Sequence, residues 1–176
     1  MTERVDIVTP DGVLTGRAKA KDDVHRDGDW HRCAHLWLLT PDGRILVQRR
    51  ALSKQSWPGM WDVSVAGHIS AGESSRDAVL RETQEELGLT LAHDEPQWFG
   101  TVPFHATLRD GAYIENEIHD LFFVRREIDS ASLRLDPLEV AEVALVTPDE
   151  LENLDLVPHP AEYALLRETV LRSFAH

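Results

Sequence analysis

Three glutamates, Glu82, Glu85 and Glu86, stand in the stretch RETQEELG, Arg81 to Gly88, at intervals of three and four residues. On a helix such intervals bring side chains onto one side, with β-carbons about 5 to 6 Å apart. Two like charges at about 5.5 Å repel by under ~1 kcal/mol in bulk water, but by about 3 kcal/mol at an effective dielectric near 20. In a cleft, then, the cluster calls for a cation. A hard divalent ion such as Mg²⁺ takes carboxylate oxygens, keeps several waters and usually touches substrate phosphates as well. Taken alone, the stretch reads more plainly as a solvated acidic face, because runs of charge commonly are that.

The elements that must position these carboxylates can be read around them. Ser74 to Leu87 carries Ala78, Val79, Thr83 and Leu87 at helical spacing, with Gly88 as a stop signal. Val79, Thr83 and Leu87 then face a sheet and leave the glutamates elsewhere on the helix. Two TPDG turns, Thr9 to Gly12 and Thr40 to Gly43, each lie between β-branched apolar stretches and read as hairpins. Further strands are expected at Trp61 to Ala66, around Gln97 to Ala106, at Ala112 to Val124 and at Val140 to Val146. Thr147 and Glu150 form a capping box that starts a second helix, and Ala161 to Arg172 forms a third. Strands and helices in no strict alternation predict an α/β fold, a mixed sheet with helices packed on it.

The 176 residues fit one domain, residues 1–176, with no linker dividing them. A net charge of −13 repels polyanions and argues against a nucleic-acid polymer as partner. A small anion remains open if a few lysines or arginines, or a bound cation, make a local exception. No apolar run is long enough for a membrane span and the first residues lack a secretion-signal core, so a cytoplasmic protein is expected. The single cysteine, Cys33, reads as a small buried hydrophobe in a strand.

Read outward, GHISAGESSRDAVLRETQEELGL, Gly67 to Leu89, resembles the signature of the Nudix hydrolases. Gly67, Glu73, Arg81, Glu82, Glu85, Glu86, Gly88 and Leu89 match in place, and Thr83 departs where an aliphatic residue is usual. With ordinary residue frequencies such a match arises by chance at a given position with probability on the order of 10⁻⁸ or less. The resemblance implies an α/β/α sandwich and a loop–helix–loop that holds Mg²⁺ or Mn²⁺ against a small-molecule diphosphate. It implies metal contacts from Glu82, Glu85, Glu86 and the Gly67 carbonyl, with Arg81 and Glu73 orienting the glutamates. The implied reaction is attack of metal-activated water on a pyrophosphate linkage, one of the glutamates taking the proton.

Beyond the signature, WHRCAHLWLL, VQRRALSKQSWPGMWDVSVAGH and YIENEI resemble type I isopentenyl-diphosphate isomerase, a branch sharing the Nudix fold, from about Gly12 to Val124. That likeness implies a second metal site from His25, His31, His68, Glu115 and Glu117, and phosphate contacts from Lys21, Arg50 and Lys54. Imidazole with carboxylate suits Mn²⁺, Mg²⁺ or Zn²⁺. Glu115, Glu117 and His119 would share one face of a strand. His119, His35, His93, His159 and His176 are read as structural or surface residues. Trp57 and Trp61 could line a pocket or fill the core.

Departures from the isomerase set the reaction class. Ala66 stands where that enzyme has its catalytic cysteine, and a methyl group transfers no proton. The isomerase lacks two of the three helix glutamates that are kept here, and His105 stands where it has a tyrosine near the reacting carbon. All three point to hydrolysis, with nucleoside di- or triphosphates as the leading substrates. The alternatives are an isomerase with another proton donor and a diphosphate-binding module without catalysis.

Overall fold

The computed structural model describes residues 3–174. Strands β1 (Arg4–Val8) and β2 (Leu14–Ala20) form a separate antiparallel hairpin, turned by the first TPDG, where the Gly12 N–H donates to the Thr9 carbonyl. Helix α1 (Lys21–Asp27) follows and leads into β3 (His31–Leu39). The second TPDG joins β3 to β4 (Ile45–Arg50). Next come β5 (Trp61–Asp62), β6 (Val65–His68) and the long helix α2 (Ser75–Leu87). The single strand expected over Trp61 to Ala66 is thus broken in two. Strands β7 (Gln97–Leu108), β8 (Tyr113–Arg125) and β9 (Val140–Val146) complete the sheet, and α3 (Pro148–Leu151) and α4 (Pro160–Thr169) end the described chain, apart from a terminal 3₁₀ turn.

The seven-stranded sheet runs β5-β4-β3-β8-β7, with β6 on β3 and β9 on β4. Among the strands of the described residues β3 and β8 run parallel and the other strand pairs antiparallel, so the sheet is mixed as expected. Strand β3 changes partner along its length: β6 pairs Cys33 to Leu36, and β4 pairs Leu38 and Leu39.

Because alternate residues of a strand face opposite sides, β3 feeds two cores. Ala34, Leu36 and Leu38 pack with Ala78, Val79 and Leu87 of α2 on one face. Trp37 and Leu39 pack with Leu166 of α4 on the other. Fully burying a side chain such as Leu87 contributes about 1.5–3 kcal/mol. Helices therefore clamp both faces of the sheet, and the remaining alternate positions of β3, His31, Cys33 and His35, are free to line a cavity.

Helix α2 is held where its sequence signals put it. The Ser74 hydroxyl accepts from the Asp77 N–H at its start, and Gly88 ends it in the left-handed region at φ 64°. Thr83 is fully buried on the sheet-facing side, and its hydroxyl donates to the Val79 carbonyl at 2.6 Å, so the departure from an aliphatic residue leaves no polar group unpaired. Thr147 and Glu150 form both arms of the expected capping box, although the helix they start is only four residues long.

Candidate metal and diphosphate site

A cavity of about 750 Å³ opens between these elements and is lined by Glu82, Glu85 and Glu86 on one side and by His35, Asp62 and His159 on another. The loop–helix junction builds the glutamate wall. Arg81 grips Glu73 with two bonds of 2.9 Å, donates to Glu82 at 2.6 Å and Glu85 at 3.2 Å, and ties the assembly to the His68 carbonyl at 3.0 Å. This fork-on-carboxylate geometry fixes the glutamates in space. Gly67 is obligatory for close approach, because a β-carbon there would lie 2.1 Å from Glu82 Cδ.

The electrostatics of this wall fit a cation. Burial, with Glu85 nearby, pushes Glu82 up to about 7 against the pull of Arg81. Burial and the neighbouring Glu82 push Glu86 up to about 8, with a 3.1 Å bond from Gln48 as partial compensation. Two buried carboxylates that resist ionisation in a cavity are what a hard divalent ion would stabilise.

A second cluster adjoins this wall through His68, at the start of β3. His31 lies across from Glu117 and Cys33 across from His119 in the parallel pairing of β3 with β8. His25 enters from α1 and stacks on Tyr113 at a ring separation of 4.2 Å, and His68 enters from the end of β6. His25, His31, His68 and Glu117 can each offer a ligand atom within 4.8 Å of the others. His25 Nδ1 lies 3.1 Å from the Ile114 carbonyl and His31 Nδ1 3.1 Å from the Asp29 carbonyl, so each ring donates outward and keeps its Nε2 lone pair inward. His25 Nε2 and His68 Nε2 are 3.0 Å apart, and the buried His31 Nε2 has no hydrogen-bond partner among the described residues, with Glu117 Oε1 3.4 Å away. Burial lowers both His25 and His68, His68 well below the ordinary value with help from Lys21. Neutral imidazoles converging on one point fit a transition-metal or Mg²⁺/Mn²⁺ site. Glu115 stands outside this group: it accepts from Trp57 Nε1 at 2.8 Å while lining the same cavity.

The basic residues implied for phosphate are also at the cavity, each with an acidic partner. Lys21 pairs with Glu3 at 3.2 Å, Lys54 with Glu139, and Arg50 with Asp62 at 2.8 Å. Arg50 further donates to the Ser56 carbonyl and hydroxyl at 3.1 Å each. Trp57 lines the cavity at a backbone φ of 50°, a left-handed conformation that is rare for so large a residue, whereas Trp61 belongs to the core beneath α4.

Of the histidines read as structural or surface residues, His35 and His159 line the cavity, and His119 links Glu162 to Glu117 of the histidine cluster. His119 Nε2 lies 2.8 Å from Glu117 and its Nδ1 3.4 Å from Glu162, while His35 Nδ1 lies 2.9 Å from Glu162 and Trp37 Nε1 donates to Glu162 at 2.9 Å. Burial opposes a charge on His119, but its two carboxylate partners overcome that and raise it to about 10. His35, His119 and Glu162 thus form a hydrogen-bonded brace, and their ligand atoms also lie within 4.8 Å of one another. The alternation of His31, Cys33 and His35 could have marked His35 as sharing the face of the cluster, but no local signal marks Glu162. His93 is exposed on the surface, as read, and His176 lies outside the described residues. The expectation for His105 is corrected: it points to the outer face of β7, exposed, with Nδ1 2.6 Å from Asn116, and Phe104 is the β7 ring beside His119 and His159. A strand's period of two puts neighbours on opposite faces, so a one-residue misalignment moves the side chain out of the site.

Comparison with known proteins places this arrangement. The NUDIX domain model matches residues 29–167. A protein of Arabidopsis thaliana named Nudix hydrolase 3 is 38% identical over 162 residues, 90% of this chain, which spans only 21% of that relative's length. Isopentenyl-diphosphate Delta-isomerase of Escherichia coli is 35% identical over 158 residues, covering 89% of this chain and 84% of that one. Among solved structures, a crystal structure from Deinococcus radiodurans superposes with a TM-score of 0.69 over 96% of this chain and 99% of its own, at 21% identity.

Proposed function

The chain belongs to the Nudix family, on its isomerase-like branch, and from that premise we propose that it is a metal-dependent pyrophosphohydrolase acting on a diphosphate linkage in a small molecule. Nucleoside di- or triphosphates and their derivatives are the leading substrates. The observation that carries the reading is the convergence of Glu82, Glu85 and Glu86 on one cavity, with Arg81 bonded to Glu73, Glu82 and Glu85. The chain acts as a single Nudix domain in this reading, with its signature at residues 67–89, and works in the cytoplasm. No helix among the described residues is long and apolar enough to cross a membrane.

Mg²⁺ or Mn²⁺, when bound, supplies acidification of water and neutralisation of phosphoryl charge. Glu82, Glu85, Glu86 and the Gly67 carbonyl would hold it, and His25, His31, His68 and Glu117 would hold a second ion. Arg81 keeps the glutamates oriented through Glu73. One of the three helix glutamates would accept the proton of the attacking water, from within hydrogen-bond reach of it. Arg50 has N–H groups left after its bonds to Asp62 and Ser56, and Lys54 and Lys21 can exchange Glu139 and Glu3 for phosphate oxygens.

A second reading, isopentenyl-diphosphate isomerisation with another proton donor, is favoured by the assembled histidine cluster and by the Escherichia coli relative. Ala66 opposes it, since the position that would protonate carbon carries a methyl group. A turnover screen with Mg²⁺ or Mn²⁺ over nucleotides, nucleotide sugars, coenzyme A and prenyl diphosphates, read by product mass, tests the assignment. Cleavage at the diphosphate linkage into two phosphorylated products supports hydrolysis. Solvent deuterium in an allylic product would replace it with isomerisation, and tight binding without turnover across the panel would replace it with a binding module.

A further inference from the structure

Two imidazole nitrogens converge on one carboxylate oxygen where β3, β8 and α4 meet. His35 Nδ1 lies 2.9 Å and His119 Nδ1 3.4 Å from the same atom, Glu162 Oε2, and each of the three residues can offer a ligand atom within 4.8 Å of the others. An N–H···O hydrogen bond spans about 2.7–3.2 Å, so the second separation is long for one. Ligands on two corners of a tetrahedral Zn²⁺ site, with bonds of about 2.0–2.1 Å, stand about 3.3–3.4 Å apart. The longer separation already has that value, and the shorter need open by only about 0.4 Å.

The atoms that point away from the convergence are held as metal ligands usually are. A ligand imidazole commonly donates its other N–H to a carboxylate, and a ligand carboxylate is itself hydrogen-bonded. His119 Nε2 lies 2.8 Å from Glu117 Oε2, and Glu162 Oε1 accepts from Trp37 Nε1 at 2.9 Å. All three residues are buried, and His35 lines the cavity, which gives an ion its way in. The group shares no residue with His25, His31, His68 and Glu117, and meets Glu117 only through His119.

We propose that His35, His119 and Glu162 form a further metal site, which takes one Zn²⁺ and pins α4 to β3 and β8. Two imidazoles and a carboxylate are a donor set that suits this ion. The ion takes the place of the protons between the two Nδ1 atoms and Glu162, and His35 then carries its proton on Nε2. The site stands apart from the diphosphate reading, which holds or fails on turnover.

Equilibrium dialysis of the full chain against Zn²⁺, followed by metal analysis, provides the test. Glu162→Gln keeps an oxygen acceptor for Trp37 and removes the anionic ligand, and His35→Phe removes a ligand from the sheet. Each is expected to hold one Zn²⁺ fewer than wild type, and His31→Ala combined with either should hold one fewer than His31→Ala alone. With Co²⁺ in place of Zn²⁺, the visible absorption of the tetrahedral ion should fall in the same variants. Wild-type crystals grown with excess Zn²⁺ need no variant to fold: anomalous scattering should place an ion between His35 Nδ1, His119 Nδ1 and Glu162 Oε2. No peak at that point, or equal Zn²⁺ in folded Glu162→Gln and wild type, overturns the proposal and leaves the three residues as a brace held by hydrogen bonds alone.

Discussion

His35 Nδ1 lies 2.9 Å from Glu162 Oε2, a contact between β3 and α4 across 127 residues of chain. The carboxylate is fully buried, and it also takes the Trp37 indole N–H on its other oxygen and His119 at 3.4 Å. Through His119 it reaches Glu117 and so the histidine cluster. One side chain of the C-terminal helix therefore braces both the inner wall of the cavity and one carboxylate of the candidate metal centre. Burial alone would keep Glu162 protonated, but His35 and His119 overcome it and hold its carboxyl well below the usual range.

Glu162→Ala should destabilise the fold by about 3–5 kcal/mol, the cost of breaking a buried charged pair from one side. Urea unfolding at neutral pH measures it. A loss under ~1 kcal/mol would show that His35, Trp37 and His119 find other partners and that the brace is not structural.

The metal-free protein should become less stable as pH rises from about 5 to about 8. Glu86 is raised from 4.5 to about 8, so over that interval the native state binds a proton the unfolded chain has released, and stability falls with rising pH. The loss is on the order of a few kcal/mol, and Glu82 adds to it in the same direction. Denaturation followed across that range, with and without Mg²⁺, checks this; a flat profile would contradict the account of both glutamates. Glu86→Gln should reduce the slope to the part that Glu82 contributes.

Glu85→Gln separates charge from stability, because Glu85 is exposed and its replacement buries nothing new. Turnover of the best substrate found in the screen should drop roughly 10²-fold or more, with the unfolding midpoint unchanged. Wild-type-like rates in both this variant and Glu86→Gln would remove the helix glutamates from the chemistry.

Gly67→Ala tests close approach. Its β-carbon would lie 2.1 Å from Glu82 Cδ, so the Glu82 side chain must swing away. Activity should fall at least ~tenfold with the metal requirement shifted to higher concentration, since misplacing one ligand by an ångström costs about that or more. Titration of rate against Mg²⁺ reads both effects.

The helix that carries the glutamates was legible because its signals are local: Ser74, Gly88 and the spacing of Val79, Thr83 and Leu87 all lie within fifteen or so residues. Helix α1 was not, since Ala20 caps it without a side-chain bond and only Val24 and His25 are buried along its seven residues. The stretch after Asp129 offered a strand and two helices but no site residue, yet Glu139, Val157 and His159 line the cavity and Glu162 braces it. These roles depend on long-range pairing, Lys54 with Glu139 across 85 residues for example, and no periodicity in the sequence encodes which distant carboxylate meets which base. The basic residues themselves could be picked out from their resemblance to the isomerase, but not the acidic partners that occupy them.

The histidine cluster yields a prediction independent of substrate. His25 and His31 each spend Nδ1 on a backbone carbonyl, which fixes Nε2 towards the centre, and His68 lies 3.0 Å from His25 with burial holding it neutral. Three such imidazoles and Glu117 should bind Mn²⁺ or Zn²⁺ without the helix glutamates. Equilibrium dialysis followed by metal analysis should therefore give the same ion at this cluster in wild type and in Glu85→Gln, and one ion fewer in His31→Ala. Because imidazole ligates only when neutral, occupancy should fall on acidification, at a pH below the ordinary imidazole range because burial lowers His25 and His68. Unchanged stoichiometry in His31→Ala would mean that the unpaired Nε2 of His31 is tolerated for packing alone, and that the histidines serve the fold and not an ion.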